Sequence, residues 1–218
     1  MRTTYQTSLL QLKKSVVEMA DEALSNVESS LNAFRMKDIT LAKKTIEKDN
    51  QIDAYEEKIA KDALRIIWKE QPIAQDLRLV TTILKVITDI ERIGDHATDI
   101  SEIFLHMEEI NQNRDVKIVL DMAEKAIEMV RQATNSLVTE DQELAKITIQ
   151  KDDEVDFLYN TLIKKVTEWL KDSVEDSSYV ISVLLIGKYL ERVADHAVNI
   201  AEWVIFLQSG SHKNTQLY

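Results

Sequence analysis

"ERIGDHATDI" (residues 91–100) and "ERVADHAVNI" (residues 191–200) are one acidic decapeptide written twice, a hundred residues apart. Upstream of each lies a second shared stretch: "LAKKTIEKDNQID" (41–53) recurs as "LAKITIQKDDEVD" (144–156). The decapeptides are offset by 100 residues and the upstream pair by 103. Two motifs that recur in the same order at nearly constant spacing point to duplication of a whole unit.

Each copy reads as three helices. The apolar periodicity places them near 4–35, 38–70 and 74–107 in the first copy, and near 116–138, 141–172 and 176–208 in the second. Asp38 suits the N-cap of the second helix, and Thr139 with Gln142 fits a capping box for the fifth. Pro72 should stop the second helix and sit in the first turn of the third. "INQNRD" (110–115) is polar and non-periodic and marks the junction, so the units are taken as 1–112 and 113–210. The tail "SGSHKNTQLY" is expected to fray. A helix of about 30 residues is about 45 Å long, and three such rods pack most economically as an antiparallel bundle. The expected fold is all-α, with six long helices in two pseudo-repeated antiparallel three-helix bundles.

Composition agrees. Only 3 glycines and 1 proline occur in 218 residues, which leaves little turn and sheet-edge chemistry. The absence of cysteine excludes disulfides and thiolate metal sites. A net charge of −11 disfavours phosphodiester backbones, so nucleic acid is not an expected partner. The N-terminal stretch has no apolar signal region, and the longest apolar run, "YVISVLLIG" (179–187), is too short to span a bilayer. A cytoplasmic protein without membrane insertion is expected.

The acids occupy a telling place on the helices. On the third helix, Leu77, Val80, Leu84 and Ile87 form an apolar stripe whose continuation is Glu91, Asp95, Asp99 and Glu102. A neighbouring stripe (Ile83, Val86, Ile90, Ile93, Ala97 and Phe104) stays apolar throughout. On the second helix, Ala42 and Ile46 precede Asp49, Asp53 and Glu56, and Ala60, Leu64 and Ile67 follow. In the second copy Asp152 and Asp156 sit between Ala145 with Ile149 and Ile163 with Leu170. Val180 and Leu184 lead into Glu191, Asp195, Asn199 and Glu202. If the stripes face each other, each bundle gathers six to eight carboxylates. Two like charges 4 Å apart repel by about 1 kcal/mol in water and by more when half-buried. Proton sharing or a multivalent cation must offset that. All-oxygen donor sets favour magnesium, calcium, manganese or iron. A plain solvated acidic face is the alternative. His96 and His196 turn away from the acid stripe and read as hydrogen-bonding or core-edge residues. Arg92 and Arg192 flank the acids. Gly94 could permit close helix approach, although Ala194 stands at its counterpart. Trp68, Trp169 and Trp203 read as core or interface anchors.

The repeated E-R-[IV]-[GA]-D, the upstream D-x-x-[IV]-D and the "QPIAQDLRLV" lead-in (71–80) together resemble the PhoU family, over essentially the whole chain. That resemblance implies multinuclear metal clusters, iron or zinc in some members, on the acid motifs. Residue by residue it carries metal binding to Asp49, Asp53, Glu91, Asp95 and Asp99, and to Asp152, Asp156, Glu191 and Asp195. Asn199 in place of Asp99 and Tyr159 in place of Glu56 depart from the first copy; Asp153 is an added acid. The resemblance also implies a negative regulator of the phosphate-starvation response. Its expected partners are the ATPase subunit of a phosphate ABC importer and a membrane sensor histidine kinase, which would hold it at the inner face of the membrane. Long amphipathic bundles suit a homodimer.

Enzymatic readings find little support. A di-metal carboxylate oxidoreductase is expected to carry Glu-x-x-His pairs, yet the third residues after Glu91 and Glu191 are Gly94 and Ala194. The glycines Gly94, Gly187 and Gly210 form no phosphate-binding loop. No enzymatic activity is expected, and a metal-free helical scaffold is the remaining alternative.

Overall fold

The computed structural model describes residues 2–107, 114–172, 177–212 and 215–216. Six helices account for nearly all of them: α1 (Arg2–Met36), α2 (Ile39–Glu70), α3 (Ala74–Leu105), α4 (Lys117–Thr139), α5 (Gln142–Asp172) and α6 (Ser177–Ser209). The expected bounds hold to within about two residues. Residues 114–116 are non-helical, and the rest of the expected junction, 110–113, lies outside the described residues. The tail departs from expectation: Ser211–His212 pairs antiparallel with Thr215–Gln216, turning the chain back past the end of α6.

Helix ends follow side-chain chemistry. Asp38 caps α2, its Oδ1 accepting the Leu41 amide at 2.9 Å. The second copy repeats this with Asp141, which accepts the amides of Glu143 and Leu144 at 2.9 and 3.0 Å. The expected Thr139–Gln142 box does not form. Thr139 is the last residue of α4, its hydroxyl donating back to the Asn135 carbonyl. Pro72 stands between α2 and α3, not inside the first turn of α3. A left-handed Gln71 (φ 47°) ends α2, its amide closing on the Ile67 carbonyl at 3.2 Å.

Within each copy every helix packs on the other two, α1–α2–α3 and α4–α5–α6. The two bundles join side by side along α3–α6, with α1–α4 as a second seam. Equivalent helices therefore meet each other, which is the pairing a pseudo-two-fold axis requires. Among the described residues, α2 and α5 pack only within their own bundles and form the outer flanks. The second stripe of α3 is core: Ile83, Val86, Ile90, Ile93, Ala97 and Phe104 are fully buried. Its equivalent on α6, with Val183, Ile186, Leu190, Val193, Ala197 and Val204, is buried likewise.

Two expectations about buried residues fail on the outer helices. Leu64 is 57% exposed and Ile163 is 38% exposed, so neither is core; Trp68 is 77% exposed, which leaves it the interface reading. Helical periodicity put Leu64 on the inner arc, but α2 is a flank helix, and its buried line runs through Ile52, Ile59, Ala63 and Ile66. Trp169 and Trp203 are half-buried against the core.

Candidate metal-binding carboxylate patches

The acids lie at the rim where α2 meets α3 and α5 meets α6. They are not inside the core. Asp49, Glu91, Asp95 and Asp99 are half-buried and Asp53 is exposed. In the second copy Asp152 and Glu191 are half-buried, while Asp156 and Asp195 are exposed. Each line of acids thus forms the wet edge of a stripe whose dry part is aliphatic.

Helix packing brings the lines together. Burial pushes the Asp49 carboxyl up to about 6, and Asp95, Asp53 and Asp99 add repulsion in that order. Burial and then Asp95 raise Glu91, to which Glu56 and Asp53 also contribute, against Arg92. Asp152 is pushed up to about 6 by burial and by Asp156, Asp195, Glu191 and Asp153. Asp195 is raised by burial and Glu191 and lowered by Lys188 and His196. Each patch therefore feels about five acids from two helices. Asp99 comes last of these acids at Asp49, and its Oδ2 lies 3.2 Å from His96 Nδ1.

Close approach of the helices is built into the residues between them. A Cβ on Gly94 would stand 2.6 Å from Ile52 Cδ1 and 3.4 Å from Asp49 Oδ1. At the counterpart positions Ala194 and Val155 are both fully buried. One carbon has moved from the α2 side to the α3 side of the contact, so the summed volume is the same.

Arg92 bridges its own patch, with Nη1 2.7 Å from Asp95 Oδ2 and Nε 3.4 Å from Glu91 Oε2. Arg192 does not follow it; its guanidinium lies over the Tyr189 ring, 5.6 Å from the centroid. The histidines face the α3–α6 seam and form hydrogen-bonding contacts there, although His96 does not turn wholly away from the acid stripe, since its Nδ1 lies 3.2 Å from Asp99 Oδ2. His96 is 7% exposed, and its ring centre is 5.4 Å from that of His196. His196 Nδ1 lies 2.9 Å from Asp89 Oδ1, which also accepts from Asn199 Nδ2 at 3.2 Å. Asn199 is therefore engaged in the seam, where its amide donates as the carboxylate of Asp99 could not. Burial lowers the His96 pKa against the pull of Asp99.

The donor set suits a hard cation. Glu91 Oε2 and Asp152 Oδ1 are shut off from water and accept no hydrogen bond among the described residues, although Arg92 Nε stands 3.4 Å from Glu91 Oε2. A lone pair left so is costly unless a cation or proton meets it. Among the described residues no group of three or more His, Asp or Glu side chains is placed to hold a metal ion. Holding an ion there would require the carboxylates to turn from these positions, a motion on the picosecond-to-nanosecond scale for exposed side chains. Asp89, Lys188, Thr88 and Tyr189 escaped the sequence reading although each touches an acid or histidine of this region. For Asp89 and Tyr189 the 100-residue offset was the available signal, since it makes them equivalent on facing helices.

The PhoU domain model matches residues 16–104 and again 119–204. The chain belongs to the PhoU family. A phosphate-specific transport system accessory protein PhoU homolog from Clostridium acetobutylicum is 29% identical over 210 residues, 96% of each chain. A Thermotoga maritima protein of the same description, homolog 1, is 31% identical, with 95% of this chain and 90% of that one covered. The crystal structure of PhoU from Pseudomonas aeruginosa superposes with a TM-score of 0.89 at 30% identity, covering 95% of this chain and all of that one. The phosphate transport system regulatory protein PhoU from Streptococcus pneumoniae gives 0.88 at 27% identity, over 95% and 98%. The Clostridium and Thermotoga proteins are named as accessory proteins and the Streptococcus protein as a regulatory one, and none of those names is that of an enzyme.

Proposed function

We propose that this PhoU-family chain is a regulatory accessory protein of a phosphate uptake system, working as an adaptor whose acidic patches take up metal ions. The observation that carries the reading is the match to phosphate transport accessory proteins along nearly the full length of both partners. The adaptor would couple the ATPase subunit of a phosphate ABC importer to a membrane sensor histidine kinase and restrain the starvation response when phosphate is ample. No helix among the described residues is long and apolar enough to cross a membrane, so attachment to the cytoplasmic face would come through those partners.

Exposed apolar side chains support an interaction role. Leu64 and Trp68 stand one helical turn apart near the end of α2, and Ile73, 79% exposed, follows in the turn to α3. Phe157 is similarly bare on α5. Large apolar side chains in water usually mark contact surfaces.

In the first patch Asp49, Asp53, Glu91 and Asp95 would hold the metal, with Asp99 at the edge. In the second Asp152, Asp156, Glu191 and Asp195 would do so. A bound iron, zinc or other divalent ion would supply positive charge that neutralises the acids and ties the two helices of the patch together. The protein's own part is to hold two rigid rows of carboxylates at one rim and to keep some of their oxygens from water.

Deleting the gene tests the adaptor reading. Phosphate uptake and its regulated genes are expected to be derepressed in ample phosphate, and normal repression in the deletion strain would contradict it. Complementation with Trp68→Ala is expected to restore repression only in part.

A further inference from the structure

The two patches differ in their own cations. Position 88 holds Thr88, whose hydroxyl donates to Glu56 Oε1 at 3.0 Å. The equivalent position in the second copy holds Lys188. Its Nζ donates to both oxygens of Glu191, at 2.6 and 2.5 Å. The counterpart of Glu56 is Tyr159, and Lys188 Nζ lies over its ring, 5.4 Å from the centroid. A Cβ on Gly187 would overlap Leu162 Cδ2 and stand 3.7 Å from Tyr159 Cδ2. The bare glycine thus lets α5 come close enough for Tyr159 to lie beside the lysine. One acid of the first patch has become an aromatic surface that a cation favours.

The first patch has a tethered cation too, but it is held differently. Arg92 is 55% exposed and bonds Asp95, reaching Glu91 only at 3.4 Å. Glu91 Oε2 accepts no hydrogen bond among the described residues. Glu191, whose side chain is 14% exposed, has both oxygens engaged by Lys188. An ammonium seated on both oxygens of a carboxylate occupies the lone pairs a divalent ion would use, and it repels that ion.

We infer that Lys188 is a built-in counter-ion of the second patch, so that a divalent cation binding there must displace the ammonium from Glu191. The two repeats are then unequal: the first patch binds metal more tightly, and the second fills only at higher metal activity. This rests on the metal reading of the patches given above.

The test uses the full-length chain with the first patch disabled by Glu91→Ala and Asp95→Ala, helicity being checked by circular dichroism. Mn²⁺ is titrated by calorimetry with and without Lys188→Thr, which installs the residue the first repeat carries. The remaining site is expected to tighten about tenfold on loss of a partly buried ion pair and its repulsion. In the otherwise unaltered chain, Thr88→Lys should weaken the tighter class of sites, and this holds even if the triple variant fails to fold. Mn²⁺ binding that neither substitution moves would overturn the inference and leave the metal reading standing. No Mn²⁺ binding to the unaltered protein would overturn both.

Discussion

His196 Nδ1 lies 2.9 Å from Asp89 Oδ1, joining α6 of the second bundle to α3 of the first. The bond is asymmetric within a nearly symmetric seam. Position 189, the equivalent of 89, holds Tyr189, which meets His96 by ring contact at 5.3 Å between centres. One side of the seam is closed by a carboxylate that accepts two donors, the other by an aromatic ring.

Asp89→Ala should therefore destabilise the whole molecule. It removes the carboxylate that faces half-buried His196 Nδ1 and accepts from Asn199 Nδ2 at the main contact between bundles. A loss of about 1–3 kcal/mol is expected, read as a lower urea midpoint. Tyr189→Phe keeps the ring contact and should change stability by less than about 0.5 kcal/mol.

The Gly94–Ile52 contact predicts a coupled pair. Gly94→Ala gains helix propensity but forces Ile52 Cδ1 aside, and Ile52→Val alone leaves a small void costing about 0.5–1.5 kcal/mol. Together they recreate the Ala194–Val155 arrangement of the second repeat. The double variant is expected to be more stable than the sum of the singles by about 1 kcal/mol in a double-mutant cycle. Additivity within error would mean that the contact does not set the α2–α3 distance.

Charge in the patches should make the metal-free protein sensitive to pH. Asp49 is pushed up to about 6 in the folded chain, against about 3.9 for an unperturbed aspartate. A raised folded pKa favours folding at low pH, and that contribution is lost as pH rises from about 4 through 6. In chelator, Asp49→Asn should consequently raise Tm at pH 7.5 and have little effect at pH 4. With saturating metal the same substitution should lower Tm at pH 7.5, because a ligand is lost. The same Tm change at both pH values in chelator would contradict the assignment.

How much of this could be read from the chain differs by feature. The six helices and the duplication follow from periodicity and two offsets, because long amphipathic helices with few breakers admit few other readings. Asp38 was legible as a cap. Asp141 was not, since Thr139 and Gln142 imitate a capping box, although the 103-residue offset relating the upstream motifs maps Asp38 onto Asp141. The exposure of Leu64 was hidden for a different reason. Periodicity shows which face is apolar, but not that, among the described residues, α2 packs only on α1 and α3. The acid lines were legible as lines, while their pairing with Arg92, Lys188 and His96 depends on side-chain placement across helices. Asp89 shows the limit most clearly, since its partners lie on the facing α6 about 110 residues away in sequence.

The central claim is that the two carboxylate rims are cation sites. Elemental analysis of the protein purified without chelators, beside its Glu91→Ala, Asp95→Ala variant, tests it most directly. Bound divalent metal is expected in the parent, with a clear loss of it in the variant and unchanged helicity in both. Metal-free parent protein that stays metal-free after incubation with Mn²⁺, Zn²⁺ and Fe²⁺, or equal metal content in parent and variant, would contradict it.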